Sequence, residues 1–126
     1  MDWFEQMYKR LNVNIVCVAY RGYSRSMGEP SEDGIMLDMK AVIKFVKTEI
    51  NIDLKRVFLM GRSLGGAVAI HTLRQMEADK DQLFKGAVIE NTFTNIEDMA
   101  DSVFPMFKLI PTIKKMMLRL KWESNK

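Results

Sequence analysis

The chain has 126 residues, which is enough for one small domain and too few for two. Hydrophobic residues make up 48% of it and charged residues 28%, which excludes global disorder, and no apolar run approaches the roughly 20 residues of a membrane-spanning helix. The net charge of +3 arises from residues 108–126, which carry six Lys or Arg and one Glu, so the rest of the chain has no basic stripe and we expect no nucleic-acid binding.

The first predicted elements are a helix over residues 1–11 and a strand over residues 13–18. The helix is indicated by apolar residues at helical spacing: Trp3, Phe4, Met7 and Tyr8. The strand, VNIVCV, is rich in β-branched residues, and its position predicts that the one cysteine, Cys17, is buried. A lone cysteine forms no intramolecular disulfide, and the amphipathic N-terminus is unlike a secretory signal. We therefore expect a protein of the cytoplasm or one held peripherally at a membrane.

A second helix is predicted after a loop over residues 19–30 that is punctuated by Gly and Pro. Ser31 can cap this helix, and the acidic residues that follow suit the positive end of the helix dipole. The predicted apolar residues share one face: Ile35, Met39, Val42, Ile43, Val46 and Ile50. Asp38 falls outside that face, so the pattern predicts that it lies on the surface.

Two more strands are predicted on either side of a helix. Residues 57–60 form a continuous apolar run, which is typical of a strand buried on both faces of a parallel sheet. Residues 64–77 have a helical pattern, and residues 87–89 form a strand that ends at Glu90. This alternation predicts an α/β fold, with helices on both faces of a parallel sheet.

The chain divides into two predicted regions. Residues 1–94 form an α/β core segment, and residues 95–126 form a helical segment that Pro105 and Pro111 interrupt.

The sequence Gly61-Arg62-Ser63-Leu64-Gly65 stands between a predicted strand and a predicted helix, where the pattern G-x-S-x-G marks a nucleophilic serine. A tight turn there raises the Ser63 hydroxyl above the sheet edge, and the N–H of Leu64 can donate to an oxyanion. Side chains two positions before or after the serine would collide with the neighbouring helix and strand. Glycine is therefore required at 61 and 65, and Gly66 extends the pattern. A dinucleotide fingerprint and a phosphate-binding loop are excluded, because the glycine spacing differs and no Lys-Ser or Lys-Thr follows.

Four segments make the chain similar to the α/β-hydrolase superfamily of serine hydrolases: YRGYSRSMGEPSEDG (20–34), LDMKAVIKFV (37–46), VFLMGRSLGGAVAIH (57–71) and ENTFTNI (90–96). It most resembles the branch of α/β-hydrolase domain-containing protein 13 and its fungal bud-emergence relatives, although Ala19 stands where that branch usually has an acidic residue. The resemblance implies a partial α/β-hydrolase fold. It also implies that Ser63 attacks acyl ester or thioester substrates of lipid-like character, with no metal or organic cofactor.

The resemblance further implies a triad acid and histidine after later strands, and a second oxyanion donor in a segment before residue 1, all beyond this chain. His71 lies eight residues after Ser63 on one predicted helix, about 12 Å along its axis, and is predicted to be structural. Glu90 has two interpretations. It is a candidate acid, because ligands bind where strands end in open α/β sheets. Alternatively, it is a structural carboxylate paired with Arg21 or Arg62. Without a triad, the alternative function is an inactive pseudo-hydrolase or a truncated fragment that acts as a binding module.

The segment 95–126 has three interpretations. The resemblance implies a cap over an acyl pocket, with Phe104, Phe107 and Ile110 against the substrate. Apolar and basic residues over 106–122 also suit contact with an anionic membrane surface. Third, these apolar residues are core positions that truncation leaves exposed.

Overall fold

The computed structural model describes residues 2–93, which contain three α-helices and two strands. The elements in chain order are α1 (Asp2–Leu11), α2 (Glu32–Thr48), β1 (Val57–Arg62), α3 (Leu64–Ala78) and β2 (Phe84–Glu90), with a 3₁₀ turn at Leu54–Arg56. All three predicted helices and two of the three predicted strands are confirmed. The predicted region 95–126 lies outside the described residues.

Helix α2 begins as its sequence predicts but ends before Ile50. The side chain of Ser31 accepts a hydrogen bond from the backbone N–H of Gly34 at 3.2 Å, which satisfies one of the free donors of the first turn. The helix ends at Thr48, and Glu49 is extended. Ile50 therefore lies outside the helix and is 92% exposed, so its assignment to the apolar face was wrong.

The sheet consists of β1 and β2 paired in parallel, with α3 as the connection between them. Leu59 pairs with Ala87, and the register continues to the pair Arg62–Glu90 at the carboxyl ends of both strands. Helix α3 packs on both strands and also against α2. The fold is therefore a partial α/β arrangement, as predicted, and the turn from β1 into α3 lies at the carboxyl edge of the sheet.

The core has two apolar clusters that join the helices to the sheet. In the first, Ile35 and Met39 of α2 pack with Ala67 and Val68 of α3, and Leu59 of β1 packs against them. In the second, Val46, Met76 and Leu83 lie near the other end of the helices. Ala67 and Val68 are small residues, so α3 can lie close to both the sheet and α2.

The predicted strand 13–18 is wrong. Within the described residues, the sheet contains β1 and β2 alone, and residues 13–18 belong to no backbone ladder. β-branched composition favours an extended chain, but a strand also needs a partner that accepts and donates its backbone hydrogen bonds. Cys17 is exposed for the same reason, so its predicted burial is also wrong.

Strand β1 is not buried on both faces. Phe58 is 66% exposed, and Met60 and its partner Val88 are exposed on the same face of the sheet. The opposite face, which carries Leu59, packs against α3 and the α2 cluster. Within residues 2–93, helices cover one face of the sheet, so the prediction of helices on both faces is confirmed for that face alone.

The loop after residue 19 is attached to α2 by an ion pair between Arg21 and Asp38. The Arg21 Nη2 and Nε donate to the carboxylate at 2.8 and 3.1 Å, and the backbone N–H of Arg21 donates to it at 2.9 Å. Gly34 makes room for this guanidinium, because a Cβ there would lie 2.6 Å from Arg21 Cδ. Asp38 is therefore partly buried and paired, and its predicted surface position was wrong. The hydrogen bonds from Arg21 hold the pKa of Asp38 below its ordinary value of 3.8.

We expect Asp38→Asn to lower the free energy of unfolding at neutral pH. The folded-state pKa of Asp38 is depressed, so its contribution is present above the unfolded-state pKa and is lost as the pH falls through the folded-state pKa. The difference between wild type and variant should therefore shrink below about pH 4. Urea unfolding over a pH series measures it.

The matched control is Asp79→Asn, which removes the same charge from an exposed position at the end of α3. It should change the unfolding midpoint little at any pH. A deficit for Asp38→Asn that stayed constant down to about pH 2 would contradict the ion-pair explanation.

Candidate active site

Ser63 has a strained backbone conformation at the junction of β1 and α3. Its φ of 54° and ψ of −121° lie outside the regions that residues with side chains prefer. Such strain costs of order 1–3 kcal/mol and persists only where the surroundings enforce it, which is common in active sites. The strand-to-helix context predicted from the sequence is therefore present, with the strained geometry that G-x-S-x-G turns adopt.

Strand β2 and the residues after it hold both backbone groups of Ser63. The N–H of Ser63 donates to the carbonyl oxygen of Glu90 at 3.0 Å. The carbonyl oxygen of Ser63 accepts from the hydroxyl of Thr92 at 3.0 Å, and from the N–H of Gly66 at 2.9 Å and of Ala67 at 3.3 Å. These bonds fix the backbone of the serine from two sides.

The side chain of Ser63 is exposed and does not cap α3. A serine at the N-cap, directly before a helix, usually accepts a hydrogen bond from the N–H two or three residues later. Here the positive φ turns the side chain away from that role, so the hydroxyl stays at the surface of the carboxyl edge. This is the position that the prediction for Ser63 requires.

Glycine is necessary at two of the three glycine positions of the motif, 61 and 66. A Cβ on Gly61 would lie 2.5 Å from the carbonyl carbon of Gly65 and 2.8 Å from the Cα of Gly66, closer than atoms approach. A Cβ on Gly66 would lie 2.6 Å from the Cβ of Thr92. Among the described residues, a Cβ on Gly65 would meet the hydroxyl of Tyr20 alone, at 3.8 Å, so the collision predicted there is wrong.

The N–H of Leu64 is the first of α3, which runs for 15 residues. The opening N–H groups of a helix have no intrahelical acceptor, and the helix dipole makes that end electropositive. Within residues 2–93, no hydrogen bond uses the Leu64 N–H. It is therefore available as a hydrogen-bond donor beside Ser63, and its role as an oxyanion donor stays a prediction.

The two other polar candidates have partners of their own. Glu90 lies beside Arg62, with 3.9 Å between its Oε1 and the Arg62 Nε, while Arg21 is bound to Asp38. That contact favours the ion-pair interpretation, and the role of Glu90 as an acid stays a prediction. His71 lies on α3 as expected, about two turns beyond Ser63, and its Nδ1 is 3.5 Å from Oε1 of Glu32 on α2.

Two residues beside the turn were not proposed as site residues from the sequence. Tyr20 is partly buried and packs against the first apolar cluster, with its hydroxyl next to Gly65, and its burial raises its pKa. Its ring meets that of Tyr23 edge to face, with 6.4 Å between centroids. Thr92 is the second. Both belong to segments quoted for the family resemblance, but no spacing rule linked them to Ser63.

The remaining predicted site residues lie outside the described part of the chain. They are Phe104, Phe107 and Ile110, together with the segment 106–122. None of the helices among residues 2–93 is both long and apolar enough to span a membrane.

One cavity lies away from Ser63. It has a volume of about 700 Å³ and is lined by residues from the end of α3 and the start of β2, including Met76, Glu77, Phe84 and Lys85. Ligands of parallel sheets bind at the carboxyl ends of the strands, and this cavity is at the opposite end, so it is not a candidate site.

The chain is similar to known proteins over most of its length. The family model described as "Serine aminopeptidase, S33" matches residues 2–126. Protein bem46 of Schizosaccharomyces pombe is 36% identical over 98 residues, which are 78% of this chain and 31% of that protein. The α/β-hydrolase domain-containing protein WAV2 of Arabidopsis thaliana is 39% identical over 102 residues, 81% of this chain and 32% of that protein.

A lipase is also among the relatives. The lysophosphatidylserine lipase ABHD12 of Danio rerio is 33% identical over 100 residues, 77% of this chain and 25% of that protein. The matches thus span about a third or less of each relative's length. No solved structure matches the chain.

The two glycines at 61 and 65 provide a matched pair of substitutions. We expect Gly61→Ala to lower the free energy of unfolding by at least about 1–3 kcal/mol, because its Cβ would overlap backbone that cannot move aside. We expect Gly65→Ala to change it by less than about 1 kcal/mol, because alanine is favoured in a helix and the space is open. Urea unfolding compares both with wild type, and equal losses would contradict this account of the turn.

Proposed function

Because the chain belongs to the serine aminopeptidase S33 family of α/β hydrolases, we propose that it carries the nucleophile of a serine hydrolase, Ser63, for acyl ester or thioester substrates. The observation that carries this proposal is the backbone of Ser63, strained at positive φ with an exposed, non-capping hydroxyl. A serine of purely structural value at this position would cap the helix or be replaced by glycine at no conformational cost.

The proposed reaction is acyl transfer in two steps. Ser63 Oγ attacks the acyl carbonyl carbon, a general base takes the hydroxyl proton, and the N–H of Leu64 binds the oxyanion that forms. The bond from carbon to the alcohol or thiol then breaks, the leaving group takes the proton, and an acyl-enzyme remains. Water attacks that ester, which releases the carboxylic acid and restores the Ser63 hydroxyl.

A lipid-like substrate is favoured by two observations. A relative is named as a lysophosphatidylserine lipase, whose substrate is an acyl ester. Tyr20 lies beside the turn with its hydroxyl next to Gly65 and its ring against that of Tyr23, and aromatic rings suit an apolar chain more than a charged peptide.

The general base in this proposal is a residue other than His71. The chain has one histidine, and His71 lies beside Glu32 on the second helix, too far along α3 to reach Ser63. We infer that the base and its orienting acid come from sequence beyond these 126 residues, in keeping with the partial coverage of the relatives.

The second candidate function is a binding module without catalysis. It is favoured by the same contacts, since His71 lies beside Glu32 and Glu90 lies beside Arg62 in the described part of the chain. The turn would then hold an anionic or carbonyl ligand at the N-terminus of α3 without reaction.

We expect a fluorophosphonate to label Ser63 of the 126-residue chain, and Ser63→Ala to abolish that labelling. The phosphorus forms a bond to Oγ, fluoride leaves, and the phosphoryl oxygen accepts from the Leu64 N–H. Because the proposed base lies beyond these residues, added imidazole should raise the labelling rate by about tenfold; a positioned base contributes 10²–10⁴, and a base in solution contributes less. Peptide mass spectrometry identifies the labelled residue.

The internal control is Ser24, an exposed serine in the loop after residue 19, which should be labelled far more slowly. His71→Gln is the control for the base and should keep the wild-type rate. Labelling of Ser63 no faster than Ser24, with or without imidazole, would reject the hydrolase and favour the binding module.

A further inference from the structure

The carbonyl of Ser63 and the N–H of Leu64 belong to one peptide group. That group is planar and trans, so the two bonds point in opposite directions and turn together. Any contact that fixes the direction of the Ser63 carbonyl therefore also fixes the direction in which the Leu64 N–H points.

Of the three donors to this carbonyl, two belong to the helix itself and one does not. The N–H groups of Gly66 and Ala67 donate as they would at the start of any helix. Thr92 Oγ1, at 3.0 Å, comes from the residues after β2, 29 positions away in sequence. It is the contact that ties this peptide group to the sheet rather than to the helix.

The position of Thr92 is enforced by packing. A Cβ on Gly66 would lie 2.6 Å from Thr92 Cβ and 2.7 Å from its Oγ1, so the threonine occupies the space that the glycine leaves. Asn91 has a φ of 46°, and this turn brings the chain back towards α3 directly after Glu90. The hydroxyl is thus held against the first turn of the helix by its own side chain and by the backbone before it.

We propose that Thr92 is a positioning residue for the oxyanion donor. Its hydroxyl holds the Ser63–Leu64 peptide group in the orientation that directs the Leu64 N–H to the oxyanion, and it polarises that N–H by bonding to the carbonyl of the same amide. Thr92 itself touches no reacting atom. This inference rests on the proposed function, in which the Leu64 N–H is the donor.

The first measurement is spectroscopic and does not depend on reactivity. The method is NMR of the chain uniformly labelled with ¹³C and ¹⁵N. Thr92→Val removes the hydroxyl but keeps the shape of the side chain, so the Ser63 carbonyl ¹³C resonance should move upfield and the Leu64 amide ¹⁵N resonance should shift. Thr92→Ser keeps the hydroxyl and should restore both. The matched control is Thr72→Val, since the buried hydroxyl of Thr72 donates to the Val68 carbonyl at 2.8 Å within α3, away from the turn.

The second measurement is the rate at which the fluorophosphonate labels Ser63 in the presence of imidazole. Removal of an oxyanion donor costs roughly 100-fold to 1,000-fold, and a donor that stays but loses its orientation should cost less, so we expect Thr92→Val to slow labelling by about tenfold. Thr92→Ser should label within about twofold of wild type, and so should Thr72→Val.

The outcomes separate the two proposals. A wild-type chain that is not labelled at Ser63 rejects the proposed function. A wild-type chain that is labelled, with Thr92→Val labelled equally fast, rejects the positioning role, and so do unchanged Ser63 and Leu64 resonances in Thr92→Val. Dispersed amide resonances in Thr92→Val would show that the variant is folded. If this variant loses its dispersion and is unfolded, Thr92→Ser tests the role of the hydroxyl instead.

Discussion

The contact between the end of β1 and the first turn of α3 governs the geometry of the site. At Gly61 the strand passes so close to the backbone of residues 65 and 66 that a single added carbon would overlap it. This approach forces a sharp change of direction within one residue, and Ser63 absorbs that change at positive φ. The exposed hydroxyl and the free N–H of Leu64 both follow from it, because the helix must begin immediately after the turn.

A strained residue needs surroundings that hold it, and the neighbouring strand provides them. Parallel pairing of β1 with β2 brings Glu90 beside Arg62, so the Glu90 carbonyl can accept from the Ser63 N–H. The chain then turns at Asn91 and presents Thr92 to the Ser63 carbonyl. The sheet register, the turn after β2 and the glycine at 66 therefore act on the same serine.

The apolar surface of the described residues is unevenly distributed. Helices α2 and α3 and one face of the sheet share two buried clusters, whereas Phe58 on the other face and Trp3 and Tyr8 on α1 remain exposed. The site lies beside the part of the molecule that the two buried clusters occupy. The ion pair of Arg21 with Asp38 adds to this packed region, because it brings the loop that contains Tyr20 and Tyr23 against α2, next to the turn.

Local sequence determined the elements and the central motif of this protein. The cap at Ser31, the periodicity of α2 and the strand-serine-helix pattern around Ser63 each depend on neighbours within a few residues, so they could be predicted. Contacts between distant residues could not. The pairing of Asp38 with Arg21 and of Thr92 with Ser63 joins residues 17 and 29 positions apart, and no local pattern encodes such distances.

The errors have the same physical cause. Residues 13–18 have the composition of a strand, but a ladder requires a partner strand, and only the tertiary arrangement determines whether one is adjacent. Gly65 matches the motif as well as Gly61 does, yet the path of the helix leaves space beside one and none beside the other. The sequence by itself determined which residue could be the nucleophile; the tertiary structure decided what surrounds it, because packing and hydrogen bonding between distant segments depend on their relative positions in space.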